Sequence, residues 1–107
     1  MEQTIREMLF EDFGIDLPIR GGHGNSVENA VIMEYVEPNN FVGAEYTYLK
    51  LLGIGRGINW RPVGQELFHE GERVYDKIKM EIQRMEGDEP VTSIENYYFD
   101  ITECFGK

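Results

Sequence analysis

The chain has 107 residues and a formal net charge of −10, with 20 acidic side chains against 10 Lys and Arg. Its length and its 41% hydrophobic content fit one core, so we expect a single globular domain over residues 1–107. The acidic balance argues against broad contact with nucleic acid or an anionic membrane, because both depend on clustered Lys and Arg.

The first predicted element is a helix over about residues 3–13. Thr4 and Glu7 have the spacing of a capping box, in which each side chain accepts a hydrogen bond from the other residue's backbone. Gly14 is a typical residue for ending a helix. Apolar residues spaced four apart fall on one face: Ile5, Leu9 and Phe13.

The next stretch is predicted to hold short extended segments and a loop. Residues 15–19 are expected to be extended, because Pro18 disfavours helical angles in the residue before it. Residues 20–26 have the Gly-rich composition of a loop. Residues 30–36 are rich in β-branched and other apolar residues, which favours a strand near the centre of the sheet.

Residues 41–52 fit two patterns. Residues 45–48 have the composition of a strand, but several apolar residues also share one helical face. The length of the segment, with Asn40 before it and Gly53 after it, favours a helix.

The second half of the chain is predicted to be mainly strands. A strand begins near Ile58, with Pro62 placing it at an edge or a bulge, and a hairpin turn follows at residues 70–72. Residues 77–83 alternate between apolar and polar, as in a strand with one buried face. An exposed acidic loop at residues 86–90 precedes a last strand over about residues 94–104. The predicted class is therefore α+β: a mostly antiparallel sheet of four to five strands, packed on one face by one or two helices.

Two acid-free windows hold the candidate binding residues. Residues 20–26 and 53–61 are both predicted to be Gly-rich loops, and both lie in stretches without Asp or Glu. Backbone N–H groups of Gly-rich turns can bind anions, and a nearby arginine adds a bidentate donor. Neither segment has the spacing of a P-loop or a dinucleotide-binding motif, so ordinary turns and ion-paired arginines are the simpler interpretation. The candidate ligand- or partner-binding residues are Arg20, His23, Arg56, Trp60 and Arg61.

The candidates for other chemistry are few. Trp60 suits an interface anchor, although a core position is the simpler interpretation. His23 and His69 are the two histidines and have no metal-binding spacing, so we predict neither a metal nor a cofactor. Cys104 near the chain end is better explained as a small apolar residue than as a nucleophile. As the single cysteine it cannot form an internal disulfide. Met1 opens a segment without the features of a signal peptide, and we expect a cytoplasmic protein.

Two functional hypotheses follow from these features. The first is an acidic module without catalytic activity that docks a basic protein partner, of the antitoxin or immunity-protein type. The alternative is a small-molecule anion or phosphate binder, or a weak enzyme, built from segments 20–26 and 53–61. A homo-oligomer stays open, since the sequence does not distinguish it from the first hypothesis.

Overall fold

In the computed structural model, which describes residues 3–107, the chain folds into two helices and a five-stranded sheet. In chain order the elements are α1 (Ile5–Phe13), β1 (Ile19–Gly21), β2 (Val31–Met33), α2 (Phe41–Arg56), β3 (Asn59–Glu70), β4 (Arg73–Glu86) and β5 (Glu89–Asp100). The strand order is β1-β2-β5-β4-β3, and β2 with β5 is the parallel pair in an otherwise antiparallel sheet. The predicted α+β class is confirmed.

Local sequence signals set both ends of α1. The Thr4 hydroxyl accepts from the Glu7 backbone at 3.1 Å, and the Glu7 carboxylate accepts from the Thr4 backbone at 3.2 Å. Gly14 ends the helix in the left-handed conformation, with φ of 70°. The predicted capping box and helix stop are therefore both present.

The core lies between the helices and one face of the sheet. Alternation along β4 places its apolar side chains on this helix-covered face, as the sequence predicts, while the lysines between them point to the open face. Tyr48 of α2 meets Phe99 of β5 edge to face, with ring centroids 5.9 Å apart. Buried residues of both helices and of strands β1, β2, β4 and β5 form one hydrophobic cluster.

Helix α2 confirms the choice of helix for residues 41–52 and continues beyond them. Asn40 caps its first turn by accepting from the Gly43 backbone at 3.2 Å. The helix then passes through Gly53 and Gly55, and Gly57 ends it at φ of 67°. The prediction of a Gly-rich loop over residues 53–61 is therefore wrong, since helix and strand occupy all but two of these positions. Tertiary packing of α2 overrides the weak helix propensity of glycine.

Strands β3, β4 and β5 form a long meander with a two-residue turn at each end. Gly71 and Gly87 take positive φ in these turns, at 62° and 63°. The acidic segment 86–90 is thus mostly strand, closed by the tight turn at Gly87. Strand β5 ends at Asp100 rather than near residue 104, because the Asp100 carboxylate accepts from the Thr102 backbone at 3.0 Å and starts a turn.

Candidate functional site

Arg56 and Trp60 lie together at the C-terminal end of α2. Arg56 donates to both carboxylate oxygens of Glu95, from Nη1 at 2.6 Å and from Nη2 at 3.0 Å. Its Nη1 also lies 3.0 Å from the Tyr97 hydroxyl oxygen. The guanidinium carbon is 5.5 Å from the centroid of the Trp60 ring, which is a cation–π contact.

Trp60 is fixed on three sides by this arrangement. Its indole Nε1 donates to the Leu49 carbonyl at 3.1 Å, and its ring meets that of Tyr97 edge to face at 5.4 Å. Gly53 lies so close that a Cβ atom there would be 2.4 Å from the indole nitrogen. The half-buried Trp60 therefore packs on the core, as the simpler interpretation of the sequence holds.

The positive charge of the Arg56 guanidinium is already paired with the Glu95 carboxylate. Its hydrogen bonds to Glu95 lower the pKa of that carboxyl group and raise the pKa of Arg56 itself. Burial and the neighbouring Glu95 raise the pKa of Tyr97 to about 12, so the phenol stays protonated. An anion that bound Arg56 would have to compete with the Glu95 carboxylate for the guanidinium charge.

Arg20 belongs to a different cluster. It donates to Glu34 at 3.1 Å and also to Glu103. In the sheet, Arg20 of β1 lies opposite Ile32 of β2, and Ile32 lies opposite Asp100 of β5. Asp100 is five residues along β5 from Glu95, the partner of Arg56, and five strand residues span about 17 Å. The two arginines therefore do not meet.

His23 and Arg56 both line a cleft between the two helices, which has a volume of about 240 Å³ and mostly apolar walls. The His23 carbonyl accepts from the Tyr48 hydroxyl at 2.7 Å, which holds the loop after β1 against α2. The structure thus places His23 and Arg56 in one cleft and packs Trp60 against Arg56 outside the cleft lining, and it leaves Arg20 apart.

Arg61 lies on the open face of the sheet. Its side chain is 64% exposed and contacts Glu81 at 3.2 Å on the neighbouring strand. Because Trp60 and Arg61 are successive residues of β3, their side chains point to opposite faces. Arg61 therefore cannot share a site with Arg56.

Comparison of the chain with protein-family models, curated proteins and solved structures found no match. Among residues 3–107, no three His, Cys, Asp or Glu side chains are grouped so that they could hold a metal ion. In the same residues, neither helix has the length and apolar character needed to cross a membrane. Cys104 is buried, and burial raises the pKa of its thiol.

The sequence reasoning missed a buried pair of carboxyl groups. Glu45 of α2 is 0% exposed and Asp76 of β4 is 3% exposed. Within the described part of the chain, neither carboxylate oxygen of Glu45 has a hydrogen-bond partner. Burial and the nearby Asp76 raise the pKa of Glu45 to about 10, so this group is a neutral acid at pH 7. The available signal was its position, four residues before the buried Leu49 on one helical face.

The sequence also did not show how the charges are divided. Each arginine of the chain contacts a carboxylate within the molecule: Arg6, Arg20, Arg56, Arg61, Arg73 and Arg84. Many acids take part in no ion pair with another described residue, and several of these lie at the two ends of the meander: Glu66, Glu70, Glu72, Asp88 and Glu89. The uncompensated charge of the folded protein is therefore negative and exposed.

Proposed function

We propose that the protein is a cytoplasmic interaction module without catalytic activity that docks a basic protein partner, in the manner of an antitoxin or immunity protein. The observation that supports it best is which charged side chains have an ion-pair partner within the molecule and which do not. All the arginines are ion-paired within the chain, whereas exposed acids at both ends of the meander form no ion pair with any of residues 3–107. A surface of this kind attracts a cationic partner and speeds its association.

The test is capture of a partner by the immobilised protein from a cytoplasmic extract at about 50 mM salt, where surface charges are weakly screened. An unrelated acidic protein of similar isoelectric point serves as the control bait and removes proteins that bind any acidic surface. We expect a basic protein that only the test bait retains. Its dissociation constant, measured with the purified pair, should rise as the salt concentration rises. Retention of no basic protein beyond the control, or binding that ignores salt, would contradict the proposal.

The second candidate is a binder of small anionic ligands in the cleft between the helices. The observation that favours it is that His23 and Arg56 both line this cleft. It ranks lower because Glu95 already occupies the Arg56 guanidinium with two hydrogen bonds. A thermal-shift screen with phosphate, nucleotides and sugar phosphates tests it. A stabilising ligand whose effect is lost in Arg56→Ala would favour the cleft, and a flat screen would remove this candidate.

A further inference from the structure

Strand β3 is an open edge of the sheet. It stands at one end of the spatial strand order β1-β2-β5-β4-β3, and its residues pair with β4 on one side only. In the described chain, no element other than β4 forms a hydrogen bond with the backbone of residues 64–70. Unpaired N–H and C=O groups in an extended row are a template on which another strand can pair.

Only part of this edge is regular enough to accept a partner. Pro62 has no N–H group, and the register shifts between Pro62 and Gly64, which marks a bulge. From Gly64 to Glu70 the pairing with β4 continues without interruption. We call residues 64–70 the β3 edge. Its seven residues span about 23 Å, the length of an ordinary strand.

The two faces of the β3 edge differ in chemistry. Glu66, Phe68 and Glu70 lie on the open face, paired in register with Lys77, Tyr75 and Arg73. Leu67 lies on the helix-covered face at the rim of the core and is still 46% exposed. A strand added to this edge would meet carboxylates and an aromatic ring on one side, and Leu67 flanked by Gln65 and His69 on the other.

The carboxylates of this edge are available to a partner. Lys77, opposite Glu66, places its ammonium group 5.9 Å from the centre of the Tyr98 ring and forms no ion pair with Glu66. Arg73, opposite Glu70, donates instead to Asp100 at 2.6 Å. Neither of these two cations forms an ion pair with Glu66 or Glu70.

We propose that the β3 edge binds an extended segment of a basic partner as an added strand, a mode of docking that rests on the proposed function. The segment alternates basic and apolar residues: its Lys or Arg side chains face Glu66 and Glu70, and its apolar residues cover Leu67. A second copy of this chain is disfavoured as the occupant, because it would bring another set of the same carboxylates to a molecule of net charge −10.

The probe is a synthetic peptide of seven residues that alternates lysine and valine, with blocked ends. Its comparison peptide is N-methylated at every backbone amide, so it keeps the side chains and the charge but cannot form a strand ladder. We expect the methylated peptide to bind more than about tenfold more weakly in titration calorimetry at about 50 mM salt. We also expect the first peptide to slow amide exchange within residues 64–70 and to leave the amides of β1 unchanged.

Two charge-matched variants locate the binding. E66Q/E70Q removes two carboxylates from the β3 edge, and D88N/E89Q removes two at the opposite end of the meander. All four residues are exposed, so both variants should keep the parent's circular dichroism. We expect E66Q/E70Q to weaken binding of the lysine–valine peptide at least about fivefold and D88N/E89Q to leave it within about twofold of the parent.

Three outcomes would overturn the inference. Equal binding of the two peptides would show that charge acts without strand pairing, which leaves the proposed function in place and removes this mode of docking. If neither peptide binds while the extract still yields a salt-sensitive basic partner, the proposed function again stays in place and strand addition at the β3 edge is excluded. A dimer whose residues 64–70 are protected from exchange without peptide would show that a second copy occupies the edge. Failure of the extract experiment, by contrast, counts against the proposed function itself.

Discussion

The buried acid Glu45 carries a cost that depends on pH. In the unfolded chain its pKa is near the ordinary 4.5, and in the fold burial raises the pKa to about 10. Below pH 4.5 the group is protonated in both states and does not affect stability. Between these two values the unfolded chain releases a proton that the folded chain retains, so the free energy of unfolding falls as pH rises.

We therefore predict that Glu45→Gln stabilises the protein at neutral pH. The gain should be near zero at pH 4.5 and on the order of 3 kcal/mol at pH 7, since each pH unit above the unfolded pKa of 4.5 corresponds to about 1.4 kcal/mol. Urea denaturation of parent and variant between pH 4.5 and 8 measures this difference. Over this pH range the free energy of unfolding should fall much less in Glu45→Gln than in the parent.

Glu66→Gln is the matched control for this measurement. It removes the carboxylate of an exposed residue on β3, and it should leave the pH dependence of unfolding close to that of the parent. Parallel pH profiles for the parent and Glu45→Gln would show that Glu45 ionises in the fold without penalty, contrary to its burial beside Asp76.

At the scale of elements, the glycines near the end of α2 differ in what they permit. Gly53 allows the indole of Trp60 to rest on the helix and to donate to the Leu49 carbonyl at 3.1 Å. Gly55 is exposed, and a Cβ atom there would meet only the Phe13 ring, at 3.8 Å. The first glycine is required by packing, whereas the second only weakens the helix.

Opposite effects should follow from the same substitution at these two positions. Gly53→Ala should lower the free energy of unfolding by about 1 to 2 kcal/mol, because the overlap with Trp60 outweighs the gain in helix propensity. Gly55→Ala should raise it by up to about 1 kcal/mol. Thermal unfolding measures both, and the emission of the single tryptophan should shift in Gly53→Ala alone. Stabilisation by both changes would contradict the close packing of Trp60 on Gly53.

The same elements show what the sequence can and cannot predict. The capping box of α1 and the alternation of β4 are local patterns, and both elements form where those patterns place them. The sequence does not predict that α2 continues to Arg56, because the contact of Gly53 with Trp60 joins a helix and a strand that only the fold brings together. The loop predicted over residues 53–61 rested on composition alone.

The candidate site was less predictable than the fold. Sequence reasoning singled out the basic residues of two acid-free windows, and it also held that ion pairs with carboxylates were the simpler interpretation. The structure places Glu95 on Arg56 and Glu103 on Arg20, from 39 and 83 residues away in the chain. Pairings over such separations depend on strand register, which no local pattern in the sequence specifies.

At the scale of the whole molecule, exposed negative charge is spread along an elongated shape. The principal extents are 48, 31 and 27 Å, and the two turns of the β3–β5 meander lie at opposite ends of β4, both rich in acids. Repulsion among these charges opposes the folded state. The exposed ion pairs of the arginines compensate little, since each contributes about 0 to 1 kcal/mol.

Added salt should therefore stabilise the protein. Raising sodium chloride from about 50 to 500 mM shortens the screening length from about 14 to about 4 Å, which weakens repulsion across the molecule more than contacts between touching charges. We expect the melting temperature to rise by a few degrees, and to rise less in D88N/E89Q, whose net charge is −8 after two charges are removed from −10. Differential scanning calorimetry measures both shifts. A melting temperature that falls with salt would mean that the ion pairs of the arginines outweigh the repulsion, and that the surface is closer to electrostatic balance than its carboxylates indicate.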